Sequence, residues 1–452
     1  MTHRIRTILI GLALGVVLIV VGAIVVVDRH SANTTAASSI DRSAPAEIAA
    51  ATNPSSQTLD QLISGLQARL ATTPKDDVSW ATLGLAYVQQ AKVTVDPSYY
   101  PKADGAIARS RAINGRDNYL ANLGQSAVAS ARHDFAGAKS AAEQGLQINS
   151  YSPLLYGALS DAEIQLGNYT AGFAAVDTMV SLRPDTASLT RASYAAELRG
   201  DVPGATDLMQ RALDRAPNAS ARAFALFYLG ELSFNSGDVD AALGFYNRAY
   251  AESPLDPAAL DGKAKAEAAL GQTETAIDHY EELVNRYPEP SYVLEYGELL
   301  QSVGRTAEAN AQYAVFKATQ QLFAANGVEP DSAATLFDAA HGDPRQALVD
   351  AELGIATRPF LVMQDAYAWA LHVNGRDAEA LQASDRALQT GMRNATFHYH
   401  AGMIKVALGD EAGARQELTL ALQINPHFSP LDAPIAQQAL AALPAAATAR
   451  PG

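Results

Sequence analysis

Short stretches of apolar residues at helical spacing alternate along the chain with brief polar interruptions, and many of the interruptions begin with a glycine. The glycines that follow an apolar stretch and precede a polar residue are separated by 33, 37, 34, 33, 38, 33 and 34 residues. They are Gly167, Gly200, Gly237, Gly271, Gly304, Gly342, Gly375 and Gly409. Because glycine readily adopts the left-handed conformation that ends a helix, each of them predicts the turn of a helical hairpin.

Small residues recur in register with this glycine. Five residues after it stand Gly172, Ala205, Ala242, Ala276, Ala309, Ala347, Ala380 and Ala414. Seven residues before it stand Ser160, Ser193, Gly230, Ala264, Gly297, Thr335, Ala368 and Gly402. We expect the paired helices to approach most closely at these positions, where a large side chain would separate them. His133 takes the place of the glycine one repeat upstream, with Ala138 five residues later.

Further positions match a known repeat. The first helix carries a bulky residue, then Leu-Gly and Tyr, as at Trp80, Leu83, Gly84 and Tyr87, and the second carries Ala, an aromatic residue and a closing proline, as at 242–254. This pattern resembles the tetratricopeptide repeat, and the arrangement looks like membrane-linked repeat proteins of bacteria, of the actinobacterial kind. The resemblance implies an all-α fold: an α-solenoid of about ten hairpins in a right-handed superhelix, a binding surface rather than a catalyst.

The register divides the chain into segments. The repeat array is expected to span residues 58–443, with single capping helices at its two ends that hide the terminal apolar faces. An insertion at 93–101 makes the first hairpin irregular. The polar, short-sided segment 29–57 predicts a flexible linker, and 444–452 a disordered tail.

The N-terminus predicts a membrane anchor. Residues 8–27 are twenty uncharged, largely apolar residues, and a helix of this length at about 1.5 Å per residue spans the roughly 30 Å hydrocarbon layer. Arg4 and Arg6 precede it, so the head 1–28 is expected to hold a single-pass protein in the cell membrane with its array outside the cytoplasm. A cleaved signal peptide is the alternative, although Asp28 stands where small residues are expected.

The composition and the motifs argue against several kinds of partner and catalytic site. The formal charge of −15 argues against a nucleic-acid partner, which would require clustered Lys and Arg. The absence of cysteine excludes disulfides, thiolate nucleophiles and zinc ribbons. No phosphate-binding loop, dinucleotide-binding glycine fingerprint or nucleophile elbow appears, so we expect no catalytic residue, no metal ligand and no cofactor. His398 and His400, the only close histidine pair, diverge on a helix and favour packing over metal binding.

The resemblance places first-helix side chains on an inner groove, three before, one after and four after the small residue of that helix. This register predicts the groove residues Asp161, Tyr194, Glu197, Phe227, Glu231, Phe234, Asp261 and Glu298 in the middle, and Trp369, His372, Tyr399 and Met403 towards the end. The middle is acidic and aromatic, with Lys265 as its only basic residue. The partner expected is therefore a protein or peptide with basic and apolar side chains, although charged positions are more often a solvated face that contacts nothing.

Three functions remain open. The first is a membrane-anchored scaffold that mediates protein–protein interaction. The second is an extracytoplasmic binding protein for a small ligand, with the end of the groove from Trp369 to Met403 as its pocket. The third, an enzyme, has no catalytic constellation to support it. Fold alone does not choose among them.

Overall fold

The computed structural model describes residues 56–444, and within this range it contains 22 helices and no strand. The all-α prediction is confirmed for this part of the chain. In chain order the helices α1 to α22 span Ser56–Thr72, Asp77–Thr94, Tyr99–Ile113, Tyr119–Ala131, Phe135–Ile148, Pro153–Gln165, Tyr169–Leu182, Thr186–Leu198, Val202–Asp214, Ala219–Asn235, Val239–Glu252, Pro257–Ala269, Thr273–Arg286, Pro290–Ser302, Thr306–Ala325, Ser332–His341, Pro344–Thr357, Leu361–Val373, Asp377–Ala387, Ala395–Ala407, Glu411–Ile424 and Asp432–Ala442.

Twenty of these helices pair into ten consecutive hairpins, from α2–α3 to α20–α21, because each packs most extensively against its neighbour within the pair. The remaining two lie singly at the ends. α1 buries Leu59, Ile63, Leu66 and Leu70 in one cluster with Leu83 of the first hairpin. α22 packs against the last hairpin in the same way. Each end helix thus covers an apolar face that has no further repeat to cover it.

The turn chemistry follows the predicted register. Seven of the eight predicted glycines have positive φ, and His133, in the glycine's place, has φ 66. Gly342 is the exception, since it ends the ten-residue helix α16 with φ −122 and ψ −132. In five hairpins the residue after the turn is an aspartate that caps the second helix, as where Asp201 accepts from the Gly204 amide at 3.0 Å.

The small positions are buried where the helices meet. A Cβ added to Gly230 or to Gly262 would collide with the ring of Tyr246, which is fully buried between them. The predicted insertion 93–101 is largely helical, since α2 continues to Thr94 and α3 begins at Tyr99.

The predicted single-pass location in the cell membrane is contradicted. Within residues 56–444 no helix is long and apolar enough to cross a membrane. Even the twenty-residue helix α15 carries Glu308, Lys317 and several side-chain amides, as expected of a helix packed on one face only. The segment 8–27, from which a spanning helix was predicted, lies outside the described residues, as do nearly all of 29–57 and 444–452.

The hairpins wind into a superhelix whose successive turns touch. The Leu361 amide donates to the Tyr169 hydroxyl at 2.8 Å, across 192 residues of sequence. Asn425 Nδ2 donates to the Phe234 carbonyl at 2.9 Å across 191 residues, and His133 Nδ1 lies 3.0 Å from a carbonyl 196 residues away. This near-constant separation indicates that one superhelical turn takes between 191 and 196 residues.

We call this line of contact the seam. It joins the turns within the second to fifth hairpins to the loops 326–331, 358–360 and 388–394, which connect later hairpins, and to the loop 425–431, which leads to α22. Apolar side chains fill it, and Ile164 and Leu198 share one buried cluster with Leu361 and Phe397. Arg358 is fully buried at the seam, with its guanidinium 5.6 Å from the ring centre of Phe135 in the other turn.

Substitutions at two glycines should distinguish the contribution of the seam to stability from that of the hairpin turn. Gly200 (φ +74) and Gly375 (φ +73) have the same conformation, but a Cβ on Gly200 would collide with the Gly391 carbonyl across the seam, whereas a Cβ on Gly375 meets open space. Gly375→Ala should lower the free energy of unfolding by about 1 kcal/mol through backbone strain. Gly200→Ala should lose roughly 1–3 kcal/mol more through overpacking, measured by urea denaturation. Equal losses would show that the seam contributes nothing at this position.

Candidate interaction surface

The first helices of the hairpins line the inside of the superhelix. Several of them contact the first helix of the next hairpin, as α2 contacts α4 and α16 contacts α18, while no comparable contact joins successive second helices in the described range. On a curved ribbon the elements on the inner side approach one another more closely. Side chains on the free face of the first helices therefore point to the interior.

At the third and fourth hairpins the interior carries a buried ion pair. Arg191 Nη2 and Nε donate to the two carboxylate oxygens of Asp161 at 2.8 and 3.0 Å, and the side chains are only 2% and 11% exposed. Burial raises the pKa of Asp161, and Arg191 opposes that rise without cancelling it. The pair links α6 to α8, so Asp161 is committed to an internal contact.

Glu197 lies further along α8, and its environment disfavours its charge. Burial raises the pKa of Glu197 to about 7, and the nearby carboxylate of Glu231 adds to the effect. Tyr194 and Tyr228 lie within electrostatic range of Glu197, and burial raises the pKa of both phenols. Among the described residues, no buried Lys or Arg forms a hydrogen bond or an ion pair with Glu197.

The fifth to seventh hairpins hold the densest charges. Glu231 accepts hydrogen bonds from the Tyr246 hydroxyl and, at 2.7 Å, from Lys265 Nζ. Glu295 accepts from the Tyr280 hydroxyl at 3.0 Å. Burial opposes the charge on Lys265, but the surrounding carboxylates outweigh it and raise its pKa. Burial also raises the pKa of Asp261, and the charge of Glu295 raises it further. The ammonium group of Lys265 thus interacts electrostatically with the three carboxylates of Glu231, Asp261 and Glu295.

Lys92 brings the first hairpin into this surface. Burial lowers its pKa, while Glu289 and Asp256 of later hairpins favour its charge. The side chain is nevertheless exposed to water. A side chain can be exposed to water while its charge is partly desolvated, when it projects into a water-accessible space lined by protein. Burial raises the pKa of Glu289 to about 7, against the pull of Lys92.

The predicted residues towards the end of the array pack among themselves. Trp369 stacks on His400 with ring centres 4.2 Å apart, and His372 Nδ1 lies 2.6 Å from an Asp377 carboxylate oxygen. Tyr399 is only 2% exposed, in a cluster against which Trp369 and Met403 pack. These side chains contact one another, and Trp369, His372 and Met403 remain partly exposed whereas Tyr399 is buried.

The other predicted residues take mixed positions. Phe234 is buried, and Phe227 packs against the cluster that holds it. Glu298 lies 3.3 Å from His341 Nε2. His398 and His400 contact different carboxylates, those of Glu417 and Asp365. Within residues 56–444 no group of three or more His, Cys, Asp or Glu side chains is placed to hold a metal ion.

The structure adds interior residues that the register did not predict: Lys92, Arg191, Tyr228, Asp256, Glu289, Tyr292 and Glu295. Three of them, Arg191, Tyr228 and Glu295, stand two residues before the small residue of their first helix. Two others, Asp256 and Glu289, stand eight before it, at the N-cap of the helix. Adding these two offsets to the register would have predicted five of the seven.

Comparison with known proteins gives one family match. Residues 258–290, which form the sixth hairpin α12–α13 and its closing loop, match the family model described as tetratricopeptide repeat. No curated protein matches the chain significantly.

Solved structures with similar backbones are all distant in sequence. A tetratricopeptide repeat protein from Parabacteroides merdae is 17% identical, over 57% of this chain and 97% of its own, with a TM-score of 0.33. The human IFIT1 dimer with PPP-AAAA is 12% identical, over 81% and 85%, with a TM-score of 0.42. The APC/C hetero-tetramer Cut9-Hcn1 is 14% identical, over 88% and 84%, with a TM-score of 0.39. At these TM-scores the likeness carries nothing about binding or activity. The family match on the sixth hairpin, together with the repeated hairpin register, supports a tetratricopeptide repeat protein.

Proposed function

We propose that the chain is a protein-interaction scaffold whose interior binds a segment of a partner protein rich in Lys or Arg and apolar side chains. A repeat array of this kind offers an extended inner surface. The observation that carries the proposal is the charge imbalance inside the superhelix. Six carboxylates, those of Glu197, Glu231, Asp256, Asp261, Glu289 and Glu295, face two ammonium groups, those of Lys92 and Lys265.

A basic ligand would relieve an unfavourable arrangement. Five of these carboxyl groups, those of Glu197, Asp256, Asp261, Glu289 and Glu295, have raised pKa values, which means that the protein does not fully stabilise their negative charges itself. A Lys or Arg side chain close to them would supply the missing positive charge in a partly desolvated space, where the attraction is stronger than in bulk water. The aromatic side chains Tyr194, Tyr228 and Phe227 in the same region offer apolar contact and faces for cations.

The test removes interior charge without leaving a buried cation unpaired. Glu197→Gln with Glu289→Gln should weaken binding of a flexible lysine-rich peptide by on the order of ten-fold, which corresponds to about 1.4 kcal/mol. Binding is measured by fluorescence anisotropy at pH 8, where both carboxyl groups are ionised. The affinity of the unaltered protein should also fall as salt is added.

The matched control removes two charges from the outer face. Glu274 and Glu281 are exposed on the second helix α13, and Glu274→Gln with Glu281→Gln gives the same net charge. This control should bind the peptide almost as well as the unaltered protein. An equal loss in both variants would mean that the peptide responds only to overall charge, and the interior would not be its site.

A further inference from the structure

The superhelix is closed on its sides. One turn takes between 191 and 196 residues, and the described array, residues 56–444, is about twice that length. Hairpins therefore surround the axis in every direction. Where the second turn runs beside the first, the seam joins them. A partner held inside has no lateral slit through which to leave.

The two superhelical turns pack tightly against each other along the seam. Buried apolar side chains from both turns share clusters, as Tyr100 does with Phe323 and Val328. A Cβ on Gly237 would lie 3.0 Å from the Ile424 carbonyl, so the backbones themselves are in close contact. Opening the seam would expose these apolar groups and leave its hydrogen bonds unmade, which is unfavourable.

The charged surface lies inside this closed wall. Lys92, from the first superhelical turn, is near enough to Asp256 and Glu289, from later hairpins, for their charges to act on its pKa. The Lys92 side chain is itself exposed to water. The carboxylates that would attract a basic ligand belong to the first helices and their N-caps, which line the inside of the superhelix, and the ligand must reach that interior.

We propose that the partner is threaded: a free, unstructured chain end bearing Lys or Arg enters along the superhelix axis through an open end of the array. This inference rests on the proposed function, since it concerns how a ligand reaches the acidic interior. A chain end needs no opening of the seam. A basic loop held between two folded domains cannot pass through either end, and it reaches the interior only when the seam opens.

The experiment compares two forms of one probe. The probe is a flexible lysine- and serine-containing peptide of about 40 residues, which extends to on the order of 130 Å. One form has a free end, and the other carries a folded domain at each end. The free-ended form should bind the full-length protein. The doubly blocked form should associate more slowly by about ten-fold or more, because it must wait for the seam to open.

A lock on the seam provides the second arm. The chain has no cysteine, so an introduced pair is unambiguous. A Cβ on Gly167 would lie 3.1 Å from the Pro359 carbonyl oxygen, so the two residues are in direct contact across the seam and are a suitable pair for a disulfide, whose formation on oxidation is verified before binding is measured. In Gly167→Cys with Pro359→Cys, oxidation should leave binding of the free-ended probe unchanged relative to the reduced form of the same variant.

The outcomes are distinct. Equal binding of the two probe forms to the unaltered protein overturns threading and leaves the scaffold function standing. Loss of free-ended probe binding on oxidation also overturns threading, since entry would then require an open seam. Failure of both probe forms to bind overturns the proposed function and the inference with it. The comparison on the unaltered protein does not depend on the folding of the cysteine variant.

Discussion

Arg191→Met should lower the free energy of unfolding by about 3–5 kcal/mol, the usual effect of removing one partner from a buried ion pair. Arg191 donates two hydrogen bonds to Asp161, and burial already raises the pKa of that carboxyl. Without the guanidinium, Asp161 must either hold an unpaired charge inside the protein or take up a proton. The loss is measured by urea denaturation, with the midpoint reported because repeat arrays can unfold in more than one step.

A second substitution serves as the control. In Arg191→Met with Asp161→Leu the unpaired carboxylate is gone, and most of the lost stability should return, because an apolar pair of similar size can replace a buried ion pair. The loss in the single variant should also shrink in acidic buffer, where Asp161 is protonated. A small loss that does not change with pH would indicate that Asp161 is well solvated, contrary to its position between α6 and α8.

The hairpins were predictable because they depend on local signals. A glycine in the left-handed region and an aspartate cap, as at Gly200 and Asp201, specify a turn from adjacent residues. Small residues at fixed distances from that turn specify how two neighbouring helices pack. The same turn forms where a histidine replaces the glycine, since His133 also adopts the left-handed conformation.

The seam was not predictable by the same reasoning. Its hydrogen bonds join residues 191–196 apart, and that separation is set by the small rotation between hairpins, summed over a whole turn. Gly200 and Gly375 look alike in sequence, yet only Gly200 lies against another turn. No local pattern distinguishes them.

The interior surface was only partly predictable, because some of its residues follow from local register while others depend on the curvature of the superhelix. Glu197, Glu231 and Asp261 follow from the register of their own helices. Lys92 and Glu289 meet only because the superhelix brings distant hairpins together, so their interaction is a property of its curvature. The charge balance of the interior, with two ammonium groups rather than one, is known only once that curvature is known.

The interior carboxyl groups should contribute less to the stability of the protein as pH rises from about 4.5 to about 7. Glu197 and Glu289 have pKa values raised from 4.5 to about 7 in the folded protein. Between these values the folded state binds protons that the unfolded state has released, so deprotonation favours unfolding. At 1.36 kcal/mol per pKa unit the effect is about 3 kcal/mol per group at most, reduced by water in the interior.

Other carboxyl groups act in the opposite direction, and a substitution isolates the interior contribution. The pKa of Glu417, for example, is lowered: burial opposes the lowering, but hydrogen bonds from His398 and Lys405 outweigh it, so its contribution to stability is lost as pH falls. Glu197→Gln removes one interior group and leaves these unchanged. Relative to the unaltered protein, this variant should gain stability at pH 8 and change little at pH 5, measured by urea denaturation at both values.

The sign of this difference also bears on binding. If Glu197 loses its proton near pH 7 because Glu231 and buried surroundings disfavour its charge, a bound lysine should lower its pKa and cancel the pH dependence. The unaltered protein saturated with the lysine-rich peptide should therefore lose less stability between pH 5 and pH 8 than the free protein. A variant that gained equally at both pH values would place Glu197 in water with an ordinary pKa, and the desolvated acidic interior would have to be abandoned at this position.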